Sequence, residues 1–388
     1  MSTKVDAKNE KTLNNQLIGK VLHTVLEFCK KNVVMLIALA LAIITAIFVP
    51  ISKEYLDYFD FKTLACLYCV LAVVCALKNV RFFYKLAQSI VSVFKNLKIC
   101  VLALVYVTFI GSMLIANDMA LLTFLPLGYV VLNTTGKKDY MAFTFIMQNI
   151  AANLGGMLTP FGNPQNLYIF NRFTIPPLEF MGIMIVPFLI SIALITLCVL
   201  VFIKAEPLEV SEEKIDLPPL KTAVYLALFA LAIIIVFNVI PYWIGIIVIT
   251  LVLLILDRKA LVKVDYPLLL TFVFFFVFAG NMAKIEPVKN FLSYLLDKNT
   301  LLVSILSCQV ISNVPTSILL SQFTNNYKAL LLGVNIGGVG TLISSLASLI
   351  TLREFLKRSP EKSGNYLLLF SVINFAFLGV LTLIALFI

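Results

Sequence analysis

Two long apolar runs each contain a short polar interruption that includes an asparagine. Residues 99–132 are apolar except for Ala-Asn-Asp at 116–118, and residues 300–323 are interrupted by Ser-Asn-Val-Pro at 312–315. Amide, hydroxyl and carboxylate oxygens bind hard cations, and amide N–H and hydroxyl groups can also donate to an anion. Each arm is too short to cross a bilayer comfortably. We therefore predict two re-entrant hairpins, each with an asparagine at its tip.

A glycine-containing segment follows each run, and the two segments match. The first is Asn-Leu-Gly-Gly-Met-Leu-Thr at 153–159, and the second is Asn-Ile-Gly-Gly-Val-Gly-Thr at 335–341. The shared positions are Asn153 with Asn335, Gly155 with Gly337, and Thr159 with Thr341. Irregular backbone at membrane depth is tolerated where it lines a cavity or is buried in protein. The match predicts two broken helices, 140–170 and 329–352, that arose by internal duplication.

Asp118 is an ionisable residue at the depth of the first hairpin tip, and such residues are functional hypotheses by default. It could ligate sodium or exchange a proton. The alternative is a helix N-cap, in which the carboxylate accepts from N–H groups of a helix that starts at Met119. The sequence leaves both roles open.

The composition of the chain is that of a bilayer protein. Of its 388 residues, 61% are hydrophobic and 13% are charged, and the mean hydropathy is +1.01. The apolar runs are continuous rather than alternating, which indicates helices and not a barrel. The net charge of +10 is scattered through short loops, so it indicates topology and not nucleic-acid binding. The only histidine, His23, lies in the polar N-terminal tail, and we expect no metal site and no enzyme.

The distribution of Lys and Arg predicts how the helices are oriented. Basic residues place the tail 1–32 in the cytoplasm, and the resulting topology puts the linker 204–220 inside, although it is net acidic, and the C-terminus outside. Five predicted crossings separate the two hairpins, so the second hairpin enters from the opposite side. We therefore expect an all-α multi-pass protein of the cytoplasmic membrane, built from the inverted repeats 33–203 and 221–388. The crossings outside the hairpins are predicted at 33–50, 62–77, 140–170, 181–203, 221–239, 242–256, 266–281, 329–352 and 364–388.

These motifs resemble those of the ion transporter superfamily, which includes citrate and dicarboxylate carriers, arsenite permeases and a class of sodium/proton antiporters. The resemblance rests on 117–122 with Pro126, on 152–166, and on 312–316 with 333–338. It implies a scaffold domain that forms a homodimer and a transport domain that moves both hairpins and both broken helices in an elevator-like displacement. The compact chain is similar to a small bacterial anion permease.

The resemblance also implies a site in which an anion and sodium ions lie between the two hairpin tips. No cofactor is expected other than sodium as a coupling ion. The predicted substrate ligands are Asn117, Asn163, Asn166, Ser312, Asn313, Thr316 and Thr341. The predicted cation ligands are Asn117, Asp118, Asn153, Gly155, Thr159, Asn313, Asn335 and Gly337.

The first tip departs from one branch of the superfamily. In the dicarboxylate carriers of this superfamily, each hairpin tip looks like Ser-Asn-Thr. Ala116 and Asp118 of the first tip do not match that pattern. The Asn-Asp tip is more similar to arsenite permeases and general anion permeases. We expect ion-coupled transport of anions, with carboxylates favoured and with sodium or a proton as the coupling ion. A sodium/proton antiporter that uses Asp118 is the alternative, and arsenite efflux is a third.

Overall fold

The structure is a computed structural model that describes residues 28–29, 32–208 and 215–388. This part of the chain is helical, with short 3₁₀ turns and a single β-bridge. Its α-helices are α1 Val33–Phe48, α2 Phe61–Asn79, α3 Phe82–Val91, α4 Leu97–Ile115, α5 Asn117–Thr134, α6 Met141–Gly155, α7 Pro164–Arg172, α8 Pro177–Phe202, α9 Pro219–Val236, α10 Tyr242–Leu256, α11 Arg258–Val262, α12 Tyr266–Lys284, α13 Glu286–Ile311, α14 Asn313–Leu320, α15 Tyr327–Ile336, α16 Leu346–Leu356 and α17 Ser363–Ala385. The predicted tail 1–32 lies almost wholly outside the described residues.

Six helical segments in the described residues are long and apolar enough to cross a membrane. Large apolar side chains, such as Leu189, Leu197 and Val201 of α8, are exposed on their outer faces. In water such a surface would be unfavourable, whereas lipid covers it without cost. The fold is therefore the predicted all-α membrane protein. The spans are Phe61–Asn79, Leu97–Ile115, Pro177–Phe202, Pro219–Val236, Tyr266–Lys284 and Pro360–Ala385.

Each predicted hairpin is a pair of packed helices joined by one residue. Ala116 alone separates α4 from α5, and Ser312 alone separates α13 from α14. The non-helical interruption at each tip is therefore a single residue, which is shorter than the polar motifs at 116–118 and 312–315 suggested. Within α13, Asn299 has extended backbone angles (φ −162°, ψ 89°), so a separate helical arm begins at residue 300, where the second hairpin was predicted to start. The re-entrant path of the hairpins through a bilayer stays a prediction.

The two joining residues share an unusual backbone conformation. Ala116 has φ 65° and ψ 152°, and Ser312 has φ 73° and ψ 158°. This region is occupied almost only by glycine, and a residue with a Cβ pays about 1–3 kcal/mol to stay in it. Both hairpins therefore carry the same local strain at the same place.

Both broken helices are present. Helix α6 ends at Gly155 and continues as the 3₁₀ turn Gly156–Leu158, after which α7 begins at Pro164. In the second half α15 ends at Ile336 and α16 begins at Leu346. Proline suits the first position of α7 because its missing N–H would have no helical partner there.

The helix contacts cross between the two halves in a reciprocal way. Helix α5 of the first hairpin packs on α16, and α14 of the second hairpin packs on α7. In the same manner α1 packs on α12, and α2 packs on α10. Each hairpin therefore rests on the broken helix of the other half, which is the arrangement expected of two repeats around a common axis. The limits of the repeats, 33–203 and 221–388, stay predictions.

The linker between the halves is anchored on the first hairpin. Pro207 forms a β-bridge with Asn96 at the start of α4, and Lys137 forms an ion pair with Glu206. The ion pair lowers the pKa of Glu206, chiefly through the hydrogen bond from Lys137. Residues 209–214 of the predicted linker lie outside the described residues.

Two matched glycines allow each broken helix to lie against the first arm of its hairpin. A Cβ added at Gly155 would lie 2.2 Å from the carbonyl oxygen of Phe109. A Cβ at Gly337 would lie 2.8 Å from the Cβ of Cys308. Real Cβ atoms do not approach backbone so closely, so a side chain at Gly155 would push the helices apart.

We predict that Gly155→Ala lowers the stability of the purified protein. Overpacking a tight contact costs about 1–3 kcal/mol, which exceeds the gain of about 1 kcal/mol from replacing a helical glycine. Thermal unfolding in detergent, followed by size-exclusion chromatography, measures the change in Tm. Gly379→Ala in α17 is the control because a Cβ there meets nothing within 4 Å. Equal or higher Tm for both variants would contradict the packing role of Gly155.

We predict that Ala116→Gly, unlike Gly155→Ala, does not lower the stability of the purified protein. Glycine adopts the backbone angles of Ala116 without steric cost, and the relief exceeds the entropy of about 0.5–1 kcal/mol that glycine loses on folding. The Tm should be equal to or higher than that of the parent protein. Ala120→Gly, in the buried interior of α5, should lower the Tm in the same assay. A fall of several degrees for Ala116→Gly would show that its conformation is not strained.

Candidate functional site

The first hairpin tip and both helix breaks meet in a buried cluster of asparagines. The Nδ2 of Asn117 donates to the Oδ1 of Asn153 over 3.3 Å. The Nδ2 of Asn163 lies 3.4 Å from both the carbonyl oxygen of Asn153 and the Oδ1 of Asn335. Each of these four side chains is at most 4% exposed. The structure thus brings together four residues that the sequence placed in one site.

The second hairpin tip reaches the same cluster through Gly338. A Cβ added at Gly338 would lie 3.1 Å from the Nδ2 of Asn313 and 3.7 Å from the Oδ1 of Asn153. At the matching position of the first half, a Cβ on Gly156 would lie 2.5 Å from the Oδ1 of Asn163. The second glycine of each pair therefore leaves room for asparagine side chains at the centre. Sequence analysis missed this role, although the Gly-Gly pairs were visible.

Asn166 and Asn335 join the two breaks directly. The Nδ2 of Asn335 donates to the Oδ1 of Asn166 over 2.6 Å. The Nδ2 of Asn166 lies 3.1–3.3 Å from the carbonyl oxygens of Gly156, Met157 and Thr159. These carbonyls belong to the unwound backbone, which would otherwise lack donors. The amide of Asn166 is engaged inside the protein, and its role as a substrate ligand stays a prediction.

The matched threonines connect each break to its hairpin. The hydroxyl of Thr159 donates to the carbonyl of Met113 over 2.8 Å, and that of Thr341 donates to the carbonyl of Gln309 over 3.0 Å. Each acceptor lies three residues before the strained tip residue. Neither hydroxyl bonds back within its own helix, because the helix has already ended before each threonine. A ligand role for their remaining lone pairs stays a prediction.

Two other predicted ligands of the second hairpin are held by local bonds. The hydroxyl of Thr316 donates to the carbonyl of Ser312 over 2.7 Å. The hydroxyl of Ser312 lies 3.3 Å from the carbonyl of Ser344, which also accepts from the backbone N–H of Asn313 over 3.0 Å. The second tip is therefore tied to the second break by two donors.

Asp118 does not cap the helix that follows it. Helix α5 begins at Asn117, two residues earlier than the capping alternative required, and its N-cap Ala116 provides no side-chain bond. The N–H of Asp118 instead donates to the Oδ1 of Asn117 over 2.9 Å. Within the described residues the Oδ1 of Asp118 is buried and has no hydrogen-bond partner. The capping alternative is therefore wrong, and this carboxylate oxygen is available for a proton or a cation.

A second unpartnered oxygen lies in the asparagine cluster. The Oδ1 of Asn163 is also buried without a hydrogen-bond partner in the part of the chain that the structure describes. Leaving a buried acceptor unpaired costs roughly 1–3 kcal/mol, so such atoms point to a missing ligand or water. The two oxygens, a carboxylate oxygen at Asp118 and an amide oxygen at Asn163, are each of the type that a hard cation such as sodium prefers.

Three of the four helices that start at the tips and breaks lack a side-chain cap. The N-caps Ala116, Asn163 and Ser312 form no such bond, whereas Ser345 caps α16 by accepting from the N–H of Ala347 over 3.3 Å. Helix N-termini carry partial positive charge and unpaired N–H groups that attract anions. The site therefore offers features for both an anion and a cation.

Two polar contacts at the breaks escaped sequence analysis. The Nδ2 of Asn149 lies 3.3 Å from the hydroxyl of Ser348, which connects α6 to α16. Gln309 donates through Nε2 to the carbonyl of Gly337 over 2.9 Å and accepts through Oε1 from the N–H of Thr341 over 2.9 Å. The alignment of the two breaks puts Ser348 at the position of Asn166, which marks it as a polar residue of the second break but does not point to Asn149. Gln309 could have been recognised in the sequence as the one amide side chain in the apolar first arm of the second hairpin.

Comparison with known proteins agrees with this arrangement. The family model described as "Citrate transporter" matches residues 22–328. An uncharacterized transporter of Methanocaldococcus jannaschii, MJ0456, is 34% identical over 331 residues, which cover 84% of this chain and 90% of that protein. The inner membrane protein YbiR of Escherichia coli is 27% identical over 315 residues, which cover 79% of this chain and 83% of that protein.

The fold also has a relative among solved structures. The crystal structure of the Alcanivorax borkumensis YdaH transporter aligns with a TM-score of 0.55 over 86% of both chains, at 14% sequence identity. Identity this low supports the likeness of the fold and nothing finer. With the family match, the hairpins and the paired broken helices taken together, this chain is a membrane transporter and belongs to the citrate transporter family.

Proposed function

We propose that the chain is a secondary transporter that couples the movement of a small anion, with carboxylates favoured, to sodium or protons across the cytoplasmic membrane. The observation that carries the proposal is the buried, unpartnered Oδ1 of Asp118 in the first turn of α5, a helix whose start lacks a side-chain cap. The family is described as citrate transporters, and this supports a carboxylate substrate.

The charges of the site suggest why an anion would need a coupling ion. No Lys or Arg forms part of the described asparagine cluster, so its positive potential comes from helix ends alone. An ionised Asp118 about 5 Å from an anionic group would repel it by roughly 3 kcal/mol at an effective dielectric constant of 20. That repulsion weakens binding by about two orders of magnitude. A proton or a sodium ion on Asp118 removes it, which links the two bound species.

The helix packing supports an elevator-like displacement as the transport step. One group consists of the pairs α1 with α12 and α2 with α10, and a second consists of the hairpins packed with the broken helices. The two groups touch where α12 packs on α14 and where α2 packs on α7. The first group is the proposed scaffold and dimer interface, and the second is the proposed moving domain. In this proposal the N-terminus lies inside the cell and the C-terminus outside.

We predict that Asp118→Asn folds but loses cation-coupled anion transport. Asparagine has nearly the same shape but cannot exchange a proton and binds sodium more weakly than a carboxylate. Uptake of radiolabelled citrate into proteoliposomes, driven by a sodium gradient or a pH gradient, should fall at least tenfold.

Asp139→Asn is the matched control for this experiment. Asp139 is exposed and pairs with Lys362 at 3.2 Å, away from the asparagine cluster. An exposed pair contributes about 1 kcal/mol or less, so this variant should transport as the parent does. Unchanged ion coupling in Asp118→Asn would refute the assigned role of Asp118.

The same liposomes distinguish the alternative functions. A sodium/proton antiporter, also compatible with the unpartnered Asp118, would move protons against sodium with no anion present. Arsenite flux without citrate flux would instead indicate an arsenite permease. Either result would replace the proposed substrate while keeping Asp118 as the coupling group.

A further inference from the structure

The amide of Gln309, in the first arm of the second hairpin, is enclosed by backbone groups. Its Nε2 donates to the carbonyl of Gly337 over 2.9 Å and lies 3.3 Å from the carbonyl of Val339 and 3.2 Å from that of Ile305. Its Oε1 accepts from the backbone N–H of Thr341 over 2.9 Å. Because a carbonyl can only accept and a backbone N–H can only donate, these partners fix the orientation of the amide. The amide nitrogen therefore lies among three carbonyl oxygens.

Gly340 makes room for this amide in the second break. Its φ of 127° is a conformation that residues with a Cβ rarely adopt, and a Cβ there would overlap the Oε1 of Gln309. In the first half, Leu158 stands at the position of Gly340, and Met113 stands at the position of Gln309. The first half therefore lacks both the amide and the glycine that makes room for it.

The hydrogen bonds of the matched threonines support this alignment. Thr341 donates to the carbonyl of Gln309, and Thr159 donates to the carbonyl of Met113. Residues 113 and 309 thus hold the same place in the two hairpins. Their side chains differ, so this position provides an amide in the second half alone.

The first half, in contrast, keeps acceptors that its own side chains do not satisfy. The Oδ1 atoms of Asp118 and Asn163 are buried and unpartnered, whereas every buried side-chain acceptor of the second tip and second break has a partner among the described residues. No described side chain donates to the carbonyl of Gly155, which matches Gly337. At the second tip Val314 replaces the carboxylate of Asp118. Acceptors and negative charge are therefore concentrated in the first half.

We propose that the Nε2 of Gln309 takes the place of a cation at the second break, so that the protein couples to a single cation, which binds in the first half. Carbonyl oxygens of unwound backbone are ligands of hard cations, and here the amide satisfies them with protons and without a charge. A cation at the same carbonyls would have to displace these hydrogen bonds, and Val314 provides no carboxylate to favour it. In this proposal Gly337 is not a cation ligand, although it matches Gly155.

This inference rests on the proposed function, because it concerns the number of ions that accompany the anion. Two matched halves would otherwise offer two equivalent cation sites, one at each tip. Gln309 removes that equivalence, and Asp118 carries the coupling in one half alone. Gln309 is thus a positioning residue, which holds the second break in its unwound conformation without an ion.

The first test adds Gln309→Glu to full-length Asp118→Asn protein in detergent, so that the carboxylate of the first tip cannot produce the response. An ionised carboxylate cannot donate to the three carbonyls, so a sodium ion between these oxygens replaces the lost donor. Sodium chloride is titrated against choline chloride at constant ionic strength and at about pH 8, where a glutamate side chain is ionised. We expect a saturable rise in Tm of roughly 3 °C or more. The apparent sodium affinity should be at least tenfold tighter than that of the Asp118→Asn protein.

Two controls in the same Asp118→Asn background separate this effect from a merely structural one. Gln309→Met introduces the residue that the first half has at this position, so it removes the hydrogen bonds without adding a charge. It should lower the Tm without the gain in sodium affinity. Gln322→Glu makes the same chemical change elsewhere in the second half, at an amide that donates to the hydroxyl of Tyr168 over 3.3 Å and not to a carbonyl. It should leave the sodium titration unchanged.

The second test measures the coupling ratio of the unaltered protein, so it does not depend on the folding of a variant. Proteoliposomes are clamped at zero membrane potential, and the citrate gradient that stops net flux against a fixed cation gradient is measured. With one coupled cation, a tenfold cation gradient balances a tenfold citrate gradient. With two coupled cations, it balances a hundredfold citrate gradient. We expect the tenfold balance.

Two results would overturn the proposal. One is a balance at the hundredfold citrate gradient. The other is a sodium titration of the Gln309→Glu protein that equals the titration of the Gln309→Met or Gln322→Glu protein. Failure of the transport proposal is separate, because no cation gradient would then drive citrate uptake, whereas the titrations would still report on the second break.

Discussion

The structure depends on one constraint, which is that backbone polar groups cannot stay unpaired inside a membrane. Four chain breaks at the hairpin tips and in the broken helices expose such groups, and lipid offers them no partner. Asn166 and Gln309 supply side-chain donors to the unwound carbonyls, one in each half. The two breaks are also joined to each other, because the Nδ2 of Asn335 in the second donates to the Oδ1 of Asn166 in the first. The breaks therefore occur together at one point.

A symmetric framework holds a chemically asymmetric site. The threonine links, the strained tip residues and the packed glycines recur in both halves with the same geometry. Asp118, however, is matched by Val314 in the second tip, and Asn163 is matched by Ser345 in the second break. Ser345 caps its helix, whereas Asn163 leaves its oxygen free. At the tips and breaks, the unpartnered acceptors thus belong to the first half, and the second half is closed by its own bonds.

Close packing and strain accompany this site rather than the membrane-facing surface. Ala116 and Ser312 are held in a conformation that favours glycine, at the residues that join the hairpin arms. Such strain persists only where surrounding contacts hold it in place. Here the contacts are the broken helices, which approach the hairpins through Gly155 and Gly337. A movement that separates hairpin from break would release the strain at both tips.

The sequence by itself determined the membrane class, the two hairpins, the two broken helices and the asparagines that meet between them. Those features follow from local composition and from a repeated pattern, which need no knowledge of distant contacts. Tertiary structure alone decided that Asp118 is not a cap and that Thr159 and Thr341 reach neighbouring hairpins. Each of these features depends on which residue faces it from a neighbouring helix. The residue pattern of one sequence does not specify such contacts.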